Sequence, residues 1–354
     1  MGKNQKSKKT LFNISKTSIA DTSQAGAKEP ERKPISIDVI IPCHNSHETL
    51  DRCLGSILCQ RVLPSITVTL VRDGGEHYQD IIDRYSPVMN IQEIGYDENG
   101  GPGKARNYGL THTHGDVISF IDSDDCYAGP FAIIDLVNEM YNEPGIVMCV
   151  GDFMEELAPL RFKRHTDDVT FVHGKLYKRS YLEKNNLLFN EAEPANEDVG
   201  FNILALIIMK PEDKVKYVKK ISHYWLWNPK SIVRSNKDVF DRSTSFIAFV
   251  RNMIYVFEEV EKRGYGNTME ILGERIASMG RITNMYHEKT MGYPQYEKDN
   301  LAEVKKFYRR VYQPFEKYIT KEMVDDVYER YPYKRQFQLG RQEYDDFIKS
   351  LGED

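Results

Sequence analysis

Between Ile37 and Asp152 the chain repeats one pattern. Short apolar runs, "IDVIIPC", "ITVTLVRD", "NIQEIGY", "DVISFID" and "GIVMCVGD", alternate with segments whose apolar residues recur at helical spacing. In the first such segment, "SHETLDRCLGSILCQ", Leu50, Cys53, Leu54, Ile57 and Leu58 share a face and Ser46 stands where a cap would. Strands of about six residues alternating with helices predict an α/β fold with a mostly parallel, Rossmann-like sheet flanked by helices. On such sheets ligands gather at the carboxyl ends of the strands.

After Gly151 the alternation lapses. "FVHGKLYKRSYLEKNN" reads as a short strand or turn entering a helix, "NEDVGFNILALIIM" as a helix, and "VKYVKKISHYWLW" as extended. From about Ser243 the pattern is helical, with Phe246, Phe249, Ile254 and Phe257 as core positions and the oligomeric state open. The expected organisation is a disordered basic tail over 1–34, an α/β domain over 35–235 and a helical C-terminal region over 236–354.

The tail holds eight basic and three acidic residues, so it carries +5 while the rest carries −10 of the net −5. The molecule as a whole is therefore not built to bind a polyanion. The tail is either solvated or suited to an anionic surface, lipid or nucleic acid. No apolar run approaches the roughly 20 residues of a membrane helix, and the N-terminus has no hydrophobic signal core. The expectation is a cytoplasmic protein, with peripheral contact to the inner face of the membrane as an option. Five cysteines at irregular spacing predict reduced thiols rather than a disulfide framework or zinc cluster.

The run "DVISFIDSDD" ends a buried strand in Asp122, Asp124 and Asp125. If the chain stays extended, Asp122 and Asp124 point the same way and repel each other when ionised. A hard divalent cation, Mn2+ or Mg2+, removes that penalty and completes its shell with substrate phosphates. A capped, solvated turn is the plainer alternative.

The surrounding motifs favour the cation. A strand runs into Pro42 and Asn45, another into Asp73 and two glycines, and "ENGGPGKARNYGL" brings Asn99 and Arg106 just before the aspartates. "NEDVGFN" follows with Glu197 and Asp198. Together, over roughly residues 37–235, the series resembles the family-two glycosyltransferases of the GT-A fold, which are inverting and use nucleotide sugars. The resemblance implies Asp73 on the base of the nucleotide, UDP being expected, with Pro42 and Asn45 shaping the nucleotide loop. Arg72 stands where the family usually has an acid or Asn, which leaves the base open. It implies Asn99 and Arg106 near the sugar or diphosphate, Asp124 as the more direct metal ligand with Asp122 beside it and contacting the sugar or ribose, and His223 as a further ligand. Asp198, with Glu197 next to it, matches the catalytic base. His173 and Lys175 would face the acceptor or diphosphate. Arg234 would replace an arginine that the family has at Leu226, and Trp225 and Trp227 would wall the sugar or fill the core. The acceptor expected is a glycan or lipid-linked saccharide. The alternatives are a hydroxylated nucleic-acid base, suggested by the basic, aromatic "YERYPYKRQFQLGRQEY", and a non-catalytic nucleotide-sugar-binding protein.

Overall fold

The structure is a computed structural model that describes residues 35–62, 65–229, 242–330 and 339–353. The expected tail, Arg234 and much of the C-terminal aromatic run lie outside these residues. From Ile35 onward the chain forms one compact unit.

The alternating pattern yields β1 (Ile37–Cys43), α1 (His47–Leu58), β2 (Ile66–Asp73), α2 (Gln79–Tyr85), β3 (Asn90–Tyr96), α3 (Gly101–His112) and β4 (Val117–Phe120). These four strands lie in the order β3-β2-β1-β4, all parallel, so β1 is central. It is buried on both faces, which is why its apolar run is unbroken. Ile37, Val39 and Ile41 pack toward α1 and α4 (Ala132–Asn142), while Ile40 faces α3 and the layer behind it. Gly109 lets α3 lie close: a Cβ there would come within 2.5 Å of Ile40 Cγ2.

The sheet continues through β8 (Lys175–Lys178), β6 (Ile146–Ala158), β9 (Lys214–Trp225) and the two-residue β5 (Cys126–Tyr127), with β7 (Arg161–His165) paired outside on β6. The β4–β8, β8–β6, β6–β7 and β9–β5 pairs are antiparallel, and the long β6–β9 pair is parallel. α5 (Arg179–Lys184) follows β8, and α6 (Glu197–Ile207) covers the sheet. On α6 packs the helical region, α7 (Arg242–Lys262), α8 (Met269–Thr290), α9 (Glu297–Phe307), α10 (Lys321–Arg330) and α11 (Arg341–Gly352). Phe246, Phe249, Ile254 and Phe257 are buried there, as their spacing predicts.

The helical pattern does not run unbroken beyond α9. A π-helical turn, Tyr308–Tyr312, and a 3-10 segment, Gln313–Tyr318, follow α9. Pro314 has no N–H to continue the α ladder, and its ring crowds the preceding turn. Among the described residues no helix is long and apolar enough to cross a membrane.

Candidate active site

The carboxyl ends of β1, β2 and β4 open into a cavity of about 920 Å3. The loops after these strands form one wall. The start of α6, the Phe171–His173 segment and Trp225 form the other. Of the residues expected to meet substrate, Pro42, Asn45, Asp73, Asn99, Arg106, Asp122, Asp124, His173, Glu197 and Asp198 line this space. Lys175 and His223 do not.

At the floor, Asp73 ends β2 almost fully buried. Its Oδ1 accepts from the Gly100 amide at 2.6 Å and its Oδ2 from the Gly101 amide at 2.9 Å. The carboxylate thus satisfies two orphan N–H groups at the start of α3, where the helix dipole favours a negative charge. The anion that such a helix start attracts is here supplied by the protein itself. Arg72 points the other way, donating to the Tyr96 carbonyl at 2.9 Å and pairing with Glu93 and Asp97. Gly74 and Gly75 take left-handed φ of +66° and +73°, and a Cβ on Gly75 would lie 2.6 Å from Asn45 Oδ1. That close approach holds the His44–Asn45 loop against the end of β2, with His44 Nδ1 donating to the Asp73 carbonyl at 2.8 Å.

Arg106 is buried, and its two guanidinium ends are both engaged. Nη2 donates to Asp122 Oδ1 at 2.6 Å and Nη1 to Glu197 Oε1 at 2.5 Å. Phe189 stacks beneath it, 5.5 Å from the guanidinium carbon. Arg106 lines the cavity, where it was expected near the sugar or diphosphate, and in this geometry it ties the end of β4 to the start of α6. The same pairing engages Glu197 Oε1 with Arg106.

The chain does not stay extended past Phe120. The Asp125 amide donates to the Asp122 carbonyl at 3.0 Å, closing a turn. Asp122 and Asp124 still reach the cavity wall, but Asp125 turns inward and is 0% exposed. There its Oδ1 accepts from the Leu226 amide at 2.9 Å and its Oδ2 from His223 Nε2 at 3.0 Å. The expected set of Asp122, Asp124 and His223 is therefore split, since β5 pairs with β9 and delivers His223 to Asp125 behind the wall.

Two arrangements fit a cation. Asp124 is pushed up by burial and by the charge of Asp122, a strain that positive charge would relieve, and Asn228 holds its Oδ2 at 2.7 Å. Deeper, the ligand atoms of Asp125, His173 and His223 all lie within 4.8 Å of one another. Nδ1 of each histidine is buried without a hydrogen-bond partner. Burial holds His223 down to about 3 and His173 well below the usual range, which keeps both imidazoles neutral, as ligation requires.

On the facing wall, half-buried Asp198 opens α6. Its Oδ1 accepts from the Val199 amide at 2.8 Å, and burial followed by the charge of Glu197 pushes its carboxyl up to about 7. The Val172 amide approaches its Oδ2 at 3.4 Å. Lys175 is turned away from the cavity. Its ammonium donates to the Phe171 carbonyl and, at 3.5 Å, to that of His173, and burial lowers it to about 8. It braces the segment rather than facing a ligand. His173 stacks on Trp225 with ring centres 5.0 Å apart and on Phe171 at 5.8 Å, giving the cavity an aromatic side. Trp227 is not part of it. Asn196 and Ser245, which sequence reasoning passed over, also line the cavity. Asn196 donates to the Ser245 carbonyl at 3.1 Å, a contact between distant segments that no local pattern announces.

Residues 38–194 match the family described as Glycosyl transferase family 2. The uncharacterized glycosyltransferase EpsJ of Bacillus subtilis is 28% identical over 223 residues, which are 55% of this chain and 62% of EpsJ. TarS of Staphylococcus aureus, a poly(ribitol-phosphate) beta-N-acetylglucosaminyltransferase, is 25% identical over 188 residues, 49% of this chain and 33% of TarS. The chain thus spans less than two thirds of either relative. The crystal structure of S. aureus TarS 1-349 in complex with UDP-GlcNAc superposes with a TM-score of 0.62 at 17% identity, covering 90% of each chain. That likeness shows the fold, a GT-A sheet with a helical C-terminal region.

Proposed function

We propose that this protein is an inverting glycosyltransferase that moves a sugar from a nucleotide diphosphate, UDP being the first candidate, to a hydroxyl of a glycan or lipid-linked saccharide. The observation that carries the reading is Asp198. It is a carboxylate with a pKa near neutrality on the wall of a cavity that Asp122 and Asp124 also line, a space of about 920 Å3 that is large enough for a nucleotide sugar. A base with that affinity takes the acceptor's hydroxyl proton as its oxygen attacks the anomeric carbon, and the bond from that carbon to the diphosphate oxygen breaks. Arg106 holds Asp122 and Glu197 in place. Glu197 in turn keeps Asp198 basic by repulsion. His173, Trp225 and Phe171 offer ring faces to the sugar. A divalent cation, Mn2+ or Mg2+, held by Asp122 and Asp124 or by the Asp125–His173–His223 cluster, would supply charge against the departing diphosphate.

Two curated relatives are named for poly(ribitol-phosphate) as acceptor, so phosphate-linked polyols belong in the acceptor panel beside saccharides. The test is nucleotide release from UDP-glucose, UDP-N-acetylglucosamine, UDP-galactose and GDP-mannose, with Mn2+ and with chelator, for the native chain and Asp198→Asn. The expected outcome is saturable release of one nucleotide that chelation suppresses and the variant lacks, with inversion visible by NMR of the product. Equal release by both proteins, or no nucleotide binding by either, overturns the proposal.

A further inference from the structure

β6 and β7 project beyond the rest of the sheet as a hairpin whose outermost residues are Leu157–Phe162. Its turn is tight: Ala158 pairs with Arg161, leaving Pro159 and Leu160 as the loop. Leu160 takes φ of +62°, a conformation that a turn facing only water fills with glycine or asparagine. Its side chain is nevertheless apolar and 90% exposed, with Leu157 at 37% and Phe162 at 40% beside it. Arg161 and Lys163 are exposed on the same hairpin, and neither makes an ion pair among the described residues. Arg164, in contrast, is committed to buried Asp152.

We infer that this hairpin is a membrane-docking element that inserts its apolar tip into an anionic lipid surface, with Arg161 and Lys163 at headgroup level. The combination selects its occupant. A soluble polyanion would use the two cations and leave Leu160 without a partner. A second copy pairing along the β7 edge would set Arg161, Lys163 and Arg164 against their own like charges. An anionic bilayer takes both features, apolar side chains to the acyl boundary and cations to the phosphate layer. The placement also suits the cavity. Glu155, three positions from the turn, pairs with cavity-lining Trp225, and Glu156 accepts from the Trp227 amide at 2.8 Å. A docked hairpin therefore holds the aromatic wall near the interface, where a lipid-borne molecule would arrive.

The test is co-sedimentation of the full chain with vesicles of phosphatidylcholine alone and of phosphatidylcholine with 30% phosphatidylglycerol, at low and high salt. It reads binding and needs no turnover, so it stands apart from the proposed reaction. Native protein is expected on the anionic vesicles only, and less at high salt. Leu160→Gly/Phe162→Ser, in which the glycine suits the turn, should weaken binding by about tenfold or more, as should Arg161→Glu/Lys163→Glu. Circular dichroism checks that both variants stay folded. If neither double variant changes binding, the contact lies elsewhere, as in the basic tail, and the inference fails. It fails equally if only the charge variant matters and polyphosphate binds as well as vesicles, or if native protein does not bind at all.

Discussion

Asp198 holds its proton about three pH units longer than an ordinary carboxyl, because burial and the neighbouring Glu197 both disfavour its charge. As the acceptor's base it must be deprotonated, so kcat should rise with pH through about 7 and then level off. A profile already flat above pH 5 would deny it that role. The stability effect runs the other way. A folded-state pKa raised above the unfolded value favours the fold fully below about pH 4 and loses that contribution as pH climbs through 7. Asp198→Asn should therefore melt higher than the native chain at pH 8 and no higher at pH 4, while its kcat falls on the order of a hundredfold or more. Thermal melts at the two pH values read the first effect, and initial rates the second. Arg106 gives the opposite kind of residue. Replacing it with Met leaves Asp122 and buried Glu197 facing each other unpaired, at a cost of about 3 to 5 kcal/mol in denaturant unfolding. Adding Glu197→Gln should recover a measurable part of that loss, which an arginine acting only on ligand would not allow.

At the scale of elements, the strands and helices of the parallel half were legible because each is written in its own neighbourhood: a period of two or 3.6, a glycine or proline at the break. What escaped was set by partners remote in sequence. The two-residue β5 exists only because β9 pairs with it, and the turn at Asp122 diverts Asp125 to His223, 98 positions away. The motif order placed most of the cavity residues, yet it could not say which carboxylates were already spoken for. Asp73 shows the consequence. Motif order assigns it to the nucleotide base, while the structure has it closing the first turn of α3 through both oxygens. Asp73→Ala should accordingly lower stability by about 1 to 2 kcal/mol in the absence of any nucleotide, the usual loss when a helix start is uncapped. A residue that served the ligand alone would leave the ligand-free unfolding midpoint where it was.

On the scale of the molecule, the helical region completes the cavity. Asn252 of α7 is buried, accepts from Asn190 Nδ2 at 3.0 Å and donates to the Ala195 carbonyl at 2.8 Å. Those residues belong to the loop that leads into Glu197 and Asp198, and Pro194, Ala195 and Asn196 themselves line the cavity. The apolar side of α7, with Phe246, Val250, Met253 and Phe257, packs in the same core as Phe201 and Leu204 of α6. Removing everything after residue 235 would expose that core, so such a fragment should aggregate rather than act as a smaller enzyme. The finer test leaves the helices in place. Asn252→Ala strands the Asn190 amide and the Ala195 carbonyl, at a cost of about 1 to 3 kcal/mol. It also loosens the approach to Asp198, for which kcat should drop on the order of tenfold to a hundredfold. Under the proposed reading, which puts the nucleotide against the opposite wall at the ends of β1 and β2, nucleotide affinity should hardly change. A parallel loss of nucleotide binding, measured by calorimetry on the same variant, would mean that α7 supports the whole cavity and not the base alone.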